Sequence, residues 1–538
     1  MMRGKAATAY LRRFFAEHRV NEYELFPKDA PWPIRRELSP RRKTLLSWID
    51  FGPGGRILEL TSGCGALTAH LATLPHAITA VAATPEEAAI IRDRCREARD
   101  LEILTATPPD RSGYDVVIVA GPVEDAAAEE DGGPCPLETR LRAAVRALAD
   151  DGCLILAVPN RMGHKYLAGL PEEHTGRPYH GVNGFPGDSP ARTCDRPSLR
   201  ALLTRVGLPA GRWFFPSPDV VLPDSIVSER ALALGGFPVL PLLELPSPDH
   251  DGDAAPAFGE RAFLRSVLAG GVAGHFMNAF LVLAAKKETA PLLLANEGTL
   301  AVAVNADSCP PRFQTMTRFE ATDAGVIVSR KNLHGLPPAV FAAGRQHLKA
   351  REACHLGYAS FLETVLDAVE DGDTERAAGT LTAWMEQVAA RARPATAQGP
   401  DGFAAFCRER LGRAIYSGRE REPWLPGSLL DAHPGNVLRH PATGDIRYID
   451  LEWQLACDIP LQLVIDRGVN LVAQKLARQA TALDLPVPGA LPPGLAARLA
   501  GHPLRRNPDL PGLAAITQWI FAAVTHGDLD HRQGTARP

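Results

Sequence analysis

The segment from Arg56 to Pro159 alternates short apolar runs with helical segments, and this alternation limits the possible folds more than any other feature of the chain. Each apolar run is short, β-branched-rich and bounded by turn residues, which is typical of buried strands. Strands that alternate with helices form parallel sheets covered on both faces, so the sequence predicts an α/β domain. The predicted strands are RILEL, AITAV, EILTA, DVVIVA and CLILAV, and the predicted helices are GALTAHLATL, PEEAAIIRDRCREA and PLETRLRAAVRALAD.

The 538 residues are too many for one ordinary hydrophobic core, so more than one domain is expected. The α/β pattern loosens after Pro159, resumes near residue 197, and ends with MNAFLVLAAKK at residues 277–287, a predicted edge strand. The composition changes after residues 286–291, where LAVAVNA, RFQTMTRFE and GVIVSRK predict successive antiparallel strands. The predicted organisation is a helical extension over 1–40, an α/β domain over 41–288 and an α+β domain over 289–538.

Charge and cysteine content narrow the class of protein. The chain has 58 basic and 62 acidic residues and no clustered positive charge, which argues against binding to a nucleic-acid backbone. Nine cysteines are dispersed without a C-x-x-C pair, as expected for reduced thiols in the cytoplasm. No apolar run approaches the roughly 20 residues of a membrane-spanning helix.

The first twenty residues predict an amphipathic helix. Basic side chains at Arg3, Lys5, Arg12 and Arg13 accompany an apolar set of Tyr10, Leu11, Phe14 and Phe15. Two interpretations follow: the helix packs on the next domain, or it makes a peripheral contact with the anionic inner face of a membrane.

The segment ILELTSGCGALTAHLA at residues 57–72 combines a strand, Glu59, Gly63, Gly65 and a helix. Glycines at such a turn let the backbone approach a ligand closely. A dinucleotide-binding turn would carry a third glycine, but Thr68 holds that position. The acidic residue before the glycines fits a ligand that bears an amino acid better than a phosphate.

With these features the chain resembles class I S-adenosylmethionine (SAM)-dependent methyltransferases, and in particular those of bacterial surface polysaccharides. The resemblance runs from about Arg56 to Lys287 and implies a Rossmann-like fold that binds SAM through Glu59, Gly63 and Gly65. Thr61 and Ala82 depart from the family, since they replace a glycine and the acidic residue that clasps the ribose hydroxyls. The alternative is therefore a site that has lost its ability to bind SAM. The resemblance is carried by GPVEDA (121–126), PNRMGHKYLAGLPEEHTGRPYHGV (159–182) and FFPSPDVVLPDSIVSE (214–229).

Polar residues that follow the predicted strands are the catalytic candidates of this domain. They are expected at the carboxyl ends of the strands, where open α/β sheets bind ligands. A structural role is the alternative for each of them. The candidates are His164 and Asp219, together with Lys165 and His174.

A second motif lies in LLDAHPGNVLRHPATGDIRYIDLEW at residues 429–453. Phosphoryl transfer needs a carboxylate that faces the acceptor hydroxyl, with an Asn and an Asp that hold Mg²⁺ on the phosphates. Asp431, Asn436 and Asp450 have this spacing, and the segment resembles the catalytic loop of aminoglycoside- and choline-kinase-like proteins. The resemblance implies that Asp431 is the base and that Asn436 and Asp450 are metal ligands.

The strands before this motif predict the smaller lobe of a two-lobed kinase-like domain. Lys331 would pair with the phosphates, and Glu352, on a helix predicted to follow, would be the partner of that lysine. The presumed nucleotide loop at residues 305–313 contains no glycine. A kinase-shaped lobe without turnover is therefore the alternative.

The domain order is similar to that of bifunctional methyltransferase–kinases that cap O-antigen polysaccharides. The resemblance implies methyl transfer from SAM to a hydroxyl of a surface-glycan precursor, with ATP and Mg²⁺ serving a second, kinase activity. Two alternatives stay open: a decayed scaffold protein in glycan assembly, and a kinase with an inactive methyltransferase domain. The predicted location is the cytoplasm.

Overall fold

The computed structural model describes the chain except for residues 1–3, 18–29, 107, 122–135, 174, 187–192, 251, 253, 289, 307–310, 338–339, 342–343, 347–348, 395–398, 412–422, 479–490 and 500–538. The chain divides into two compact units. The first comprises Met1–Leu234, Leu242–Asp307 and Arg318–Gly325, and the second comprises Gly235–Pro241, Ser308–Thr317 and Val326–Pro538.

The first unit contains nine strands and ten α-helices that lie wholly within it among the described residues. Its strands are β1 (Arg56–Glu59), β2 (Ala77–Ala82), β3 (Leu101–Thr105), β4 (Tyr114–Ala120), β5 (Leu148–Pro159), β6 (Ala210–Ser217), β7 (Ser225–Ser228), β8 (Ala279–Ala285) and β9 (Thr299–Val304). Its helices are α1 (Gly4–Glu17), α2 (Trp32–Leu38), α3 (Thr68–Leu71), α4 (Pro85–Arg94), α5 (Pro136–Ala147), α6 (His164–Leu167), α7 (Arg196–Arg205), α8 (Glu229–Ala233), α10 (Glu260–Ala269) and α11 (Ala290–Leu294). Helix α9 (Leu240–Leu243) and strand β10 (Thr315–Thr322) have residues in both units.

The strands of the first unit form one sheet in the order β3-β2-β1-β4-β5-β8-β6-β7-β9. Strands β1 to β5 pair with one another in parallel, with β1 at the centre of these five. The order 3-2-1-4-5 of parallel strands is that of doubly wound sheets, so the predicted Rossmann-like fold is confirmed.

Strand β8 is not the predicted edge strand. It is antiparallel to both β5 and β6, with Val282 opposite Leu156 on one side and Trp213 on the other. Every residue of β8 is buried, because strands cover both of its edges and its side chains face the core on both sides of the sheet. An uninterrupted apolar run is typical of such a central strand, whereas an edge strand would carry polar residues.

Helix α1 packs against the first unit. Leu11, Phe14 and Phe15 are buried with residues of α2 and with Ile90 of α4. Arg12 and Arg13, on the opposite face, are exposed. This confirms the packed-helix interpretation, and it leaves the apolar face of the described part of α1 covered rather than available to a membrane.

Two other predictions differ from the structure. Residues 290–306, assigned above to the second domain, belong to the first unit because β9 pairs with β7. The helix predicted after the glycine turn is reduced to the four residues of α3.

The second unit contains small sheets and a helical core. Its strands, apart from β10, are β11 (Gly325–Asn332, whose first residue belongs to the first unit), β12 (Val340–Phe341), β13 (Gly344–Gln346), β14 (Arg351–Ala353), β15 (Ala359–Ser360), β16 (Trp424–Leu425), β17 (Val437–Arg439), β18 (Ile446–Tyr448), β19 (Trp453–Leu455) and β20 (Ile459–Pro460). Its helices are α12 (Phe361–Glu370), α13 (Thr374–Ala389), α14 (Gly399–Leu411), α15 (Leu461–Arg478) and α16 (Pro493–Leu499).

Helices α12, α13 and α15 bury a shared apolar cluster around Trp384, which is fully buried. Helix α12 begins at Phe361 because Ser360 and Glu363 form a reciprocal capping box. The helical segment predicted to start near Arg351 therefore begins ten residues later, and β14 and β15 precede it. Among the described residues, no helix has the length and apolarity needed to cross a membrane.

Candidate cofactor and catalytic sites

The chain turns sharply after β1, at the carboxyl end of the central strand of the sheet. Gly63 and Gly65 have φ angles of +50° and +82°, a region that L side chains rarely adopt. A Cβ on Gly65 would lie 3.1 Å from Cγ1 of Ile91, so α4 packs closely against the turn. The glycines are thus required by the backbone path as well as by any ligand that approaches it.

Glu59, the last residue of β1, is 1% exposed. Its Oε2 accepts a hydrogen bond of 2.6 Å from Oγ1 of Thr68. Its Oε1 is buried and has no hydrogen-bond partner among the described residues. Burial raises the pKa of Glu59 to about 7, although the Thr68 hydrogen bond and the charge of Arg42 oppose the shift. A buried carboxylate oxygen without a partner is costly, and a cationic or donor group of a ligand would stabilise it.

The two departures from the family have structural explanations. Thr61 Oγ1 donates to the carbonyl of Ala120 and accepts from its N–H, at 3.0 and 2.9 Å, and so ties the turn to the end of β4. Ala82 ends β2 fully buried against Ala88 and Ile91. It therefore offers a ligand no polar side-chain group.

Two charged residues that the sequence analysis did not single out lie beside the turn. Glu37 is buried, and its Oε1 lies 3.6 Å from the position that a Cβ on Gly63 would take. The guanidinium of Arg42 donates to the carbonyls of Val220 and Val221 at 3.2 Å and contacts that of Ala120 at 3.4 Å. Arg42 thereby joins the end of β4 to the loop that carries Asp219.

Asp219 is buried in the loop that follows β6. Its Oδ1 accepts from the N–H groups of Val221 and Leu222 at 2.8 Å, and its Oδ2 lies 2.5 Å from Nε2 of His250. Burial alone would raise the pKa of Asp219, but the hydrogen bond and charge of His250, with the charge of Lys165, hold that pKa well below its usual range. The His250 ring is stacked on Trp32 with ring centroids 3.5 Å apart.

His164 begins α6 and is 4% exposed. Its Nδ1 lies 3.0 Å from the carbonyl oxygen of Phe276, and its Nε2 lies 3.2 Å from Nδ2 of Asn278. Burial lowers the pKa of His164 against the opposing charge of Glu260, whose Oε1 lies 3.4 Å from Nε2. Both ring nitrogens are thus engaged within the core, which favours the structural alternative for His164.

Lys165 is also buried, and its Nζ lies 2.5 Å from Oε1 of Glu173. Its positive charge contributes to the lowered pKa of Asp219. His174 and residues 122–126 of the GPVEDA segment lie outside the described residues, so their predicted roles stay predictions.

In the second unit the structure brings Asp431, Asn436 and Asp450 together. Nδ2 of Asn436 donates to the backbone carbonyls of Asp431 and Asp450, each at 3.1 Å. Both amide donors are therefore used, and the Oδ1 of Asn436 is the atom left for a metal or ligand. Asp450 has a φ of +54°, an uncommon backbone conformation of the kind found at functional sites.

Asp431 is 3% exposed and is held on both carboxylate oxygens. Its Oδ1 lies 2.5 Å from Nη2 of Arg467, and its Oδ2 accepts from the N–H of Trp453 at 3.0 Å. Burial raises the pKa of Asp431 to about 6 against the opposing charge of Arg467. The carboxylate predicted to be the base is therefore already contacted by an arginine, and its role as base stays a prediction.

The structure does not bring Lys331 and Glu352 together. Glu352 lies on strand β14 rather than on a helix, and its carboxylate pairs with Arg330. Lys331 is exposed, because successive side chains of β11 point to opposite faces and Arg330 shares the inward face with Val326 and Val328. The two-residue alternation of GVIVSRK is the sequence signal that could have placed Arg330, rather than Lys331, on the inward face of the strand.

Arg330 also contacts the predicted metal ligand Asp450, with its Nε 2.9 Å from Oδ1. Mg²⁺ binding needs oxygen ligands whose charge is free for the ion. Among the described residues no group of three His, Cys, Asp or Glu side chains could hold a metal. A guanidinium at this distance already compensates Asp450, so the residues do not fit Mg²⁺ in this arrangement.

No protein-family model and no curated protein matches the chain. Solved structures similar to it include SAM-dependent methyltransferases. A TehB-like methyltransferase from Corynebacterium glutamicum is 12% identical over 44% of this chain and 82% of its own, with a TM-score of 0.24. A SAM-dependent methyltransferase from Aquifex aeolicus is 14% identical over 37% and 88%, with a TM-score of 0.24. The [4+2]-cyclase SpnF is 15% identical over 52% and 92%, with a TM-score of 0.28.

Proposed function

We propose that the first unit binds SAM at the turn after β1 and transfers its methyl group. The observation that carries the proposal is the buried Oε1 of Glu59, which has no hydrogen-bond partner among the described residues. The ammonium group of an amino-acid-bearing ligand would supply both the donor and the opposite charge. A phosphate-bearing ligand would instead be repelled by this carboxylate.

The turn supports the same ligand. Gly63 and Gly65 let the backbone approach a ligand without a Cβ between them. When bound, SAM would supply an electrophilic methyl group, which passes to the acceptor as its bond to sulfur breaks and S-adenosylhomocysteine leaves. The protein's part is to hold the two reactants in register and to accept the acceptor's proton.

For the acceptor we propose a hydroxyl of a surface-glycan precursor. The support is the resemblance of residues 159–182 and 214–229 to surface-polysaccharide methyltransferases. Asp219 is the candidate in this region that stays ionised, because His250 and Lys165 compensate its buried charge. Its oxygens already accept from the N–H groups of Val221 and Leu222 and contact His250, so Asp219 would orient His250 rather than take the acceptor's proton itself.

Calorimetric titration of the full chain with SAM tests the proposal. We expect binding by the wild type and a loss of about tenfold or more in Glu59→Gln, since a charge-assisted hydrogen bond is removed. Glu86→Gln is the matched control, because Glu86 is exposed on the first turn of α4. A folded wild-type protein that binds no SAM would favour the scaffold alternative.

A second candidate function is ATP-dependent phosphorylation of an acceptor by the second unit, with Asp431 as base. The observation that favours it is the position of Asn436, which bridges the backbones of Asp431 and Asp450. Titration of the full chain with ATP, with and without Mg²⁺, tests nucleotide binding. ATP binding without SAM binding would favour the kinase-only alternative.

A further inference from the structure

Arg330 and Asp450 face each other in the second unit, the arginine buried and the aspartate partly exposed. The Arg330 side chain is 6% exposed, and its Nε lies 2.9 Å from Oδ1 of Asp450. Both atoms are buried, and neither makes an aligned hydrogen bond with any described residue. The contact is therefore a close charge pair without an aligned hydrogen bond.

The guanidinium is held in place from two sides. Its Nη1 donates to Oε1 of Glu352 on β14, which pairs with β11 in antiparallel register. Lys349 contacts the second oxygen of Glu352 at 3.4 Å. Because Arg330 is buried and doubly paired, its charge stays beside Asp450.

The charges of this cluster differ from those of an ordinary kinase site. A kinase has one lysine, one glutamate and two aspartates, a net charge of −2 before Mg²⁺ binds. Here each of three carboxylates is paired with a cation. The cations are Arg330, Lys349 and Arg467, and the carboxylates are Glu352, Asp431 and Asp450.

We infer that Arg330 takes the place of the metal ion and that the second unit binds a nucleoside di- or triphosphate without a divalent cation. This inference rests on the second candidate function in so far as the ligand is a nucleotide. The guanidinium suits phosphate because its donors lie in a planar fork, and its charge is independent of pH in the physiological range. Asp450 then holds the arginine and does not ligate a metal.

Calorimetric titration of the full chain with ATP and with ADP, in EDTA and in Mg²⁺, tests the inference. We expect the affinity to agree within about twofold between the two conditions. Arg330→Met should weaken binding about tenfold or more in both, because the charged donor is lost. Asp450→Asn should leave binding in EDTA intact or stronger, whereas a metal site would lose affinity in Mg²⁺. Arg330→Gln, which keeps a polar donor, repeats the test if the methionine variant does not fold.

Arg351→Ala is the matched control, because Arg351 is exposed on β14 beside Glu352, and Lys331→Met tests the neighbouring cation. Both should bind like the wild type. Binding that requires Mg²⁺ and disappears in Asp450→Asn would overturn the inference and support the ordinary kinase. Absence of nucleotide binding in both conditions would overturn the inference together with the second candidate function. A SAM titration of the same preparation keeps either result separate from the methyltransferase proposal.

Discussion

Oγ1 of Thr68 donates a hydrogen bond of 2.6 Å to Oε2 of Glu59, and both side chains are buried at the end of the central strand. The bond stabilises the ionised carboxylate, yet burial outweighs it and raises the pKa of Glu59 to about 7 from an ordinary 4.5. The folded protein therefore holds this proton more tightly than the unfolded chain does.

The first prediction is a pH-dependent stability difference at Glu59. A carboxyl group with a raised pKa contributes stability that is present below the unfolded pKa and is lost as the pH rises through the folded pKa. The free energy of unfolding of the wild type should therefore fall by about 3 kcal/mol, relative to that of Glu59→Gln, between pH 4.5 and pH 7. Urea denaturation at pH 5 and pH 8 measures it, with Glu86→Gln as the exposed control. A difference that does not change with pH would mean that Glu59 is not buried as a titrating carboxyl.

The second prediction separates the ligand-binding role of the turn from its backbone strain. Gly63→Val and Gly52→Val both place a branched residue at a positive φ, +50° and +69° respectively. Each should lower the free energy of unfolding by about 1–2 kcal/mol. Only Gly63→Val should also abolish SAM binding, since a Cβ on Gly52 would meet nothing within 4 Å beyond its chain neighbours and Gly52 precedes β1. Equal SAM affinity in the two variants would remove the turn from the binding site.

The sheet of the first unit was largely predictable because its strands are short apolar runs bounded by turns, and that pattern depends on local sequence. The position of β8 was not, since a run buried on both faces is compatible with several places in a sheet. Asp431, Asn436 and Asp450 could be found because their spacing lies within one loop. Arg42 and His250 could not, since each contacts residues distant in the sequence, Val220 and Asp219 respectively, through loops that no periodic pattern describes.

The third prediction concerns the buried pair of Asp219 and His250. Asp219→Asn should lower the free energy of unfolding at pH 7 by about 3 kcal/mol, because it leaves the charges that face this carboxylate uncompensated. A depressed pKa contributes stability that is present above the unfolded pKa and is lost as the pH falls through the folded pKa. The difference in free energy of unfolding between variant and wild type should therefore shrink as the pH falls below the ordinary pKa of an aspartate, about 4. Urea denaturation from pH 3 to pH 7 measures it, with exposed Asp323→Asn as control. An Asp219→Asn protein as stable as the control would show that the pair contributes nothing to folding.

The last prediction concerns the acidic residue that is missing at the end of β2. By the resemblance alone, Ala82→Glu would restore a clasp for the ribose hydroxyls and strengthen SAM binding. The structure favours the opposite result, because Ala82 is fully buried against Ala88 and Ile91 and a glutamate there would be ionised without a partner.

We expect Ala82→Glu to lower the free energy of unfolding by about 3 kcal/mol or more and to give no gain in SAM affinity. Ala83→Glu is the matched control, since Ala83 is the next residue and is exposed. It should change stability by less than about 0.5 kcal/mol. Urea denaturation and SAM titration of both variants measure these effects. The contrary result would be an Ala82→Glu variant that is as stable as Ala83→Glu and binds SAM more tightly than the wild type. In that case the end of β2 opens to the ligand, and Ala82 is not buried in the SAM-bound protein.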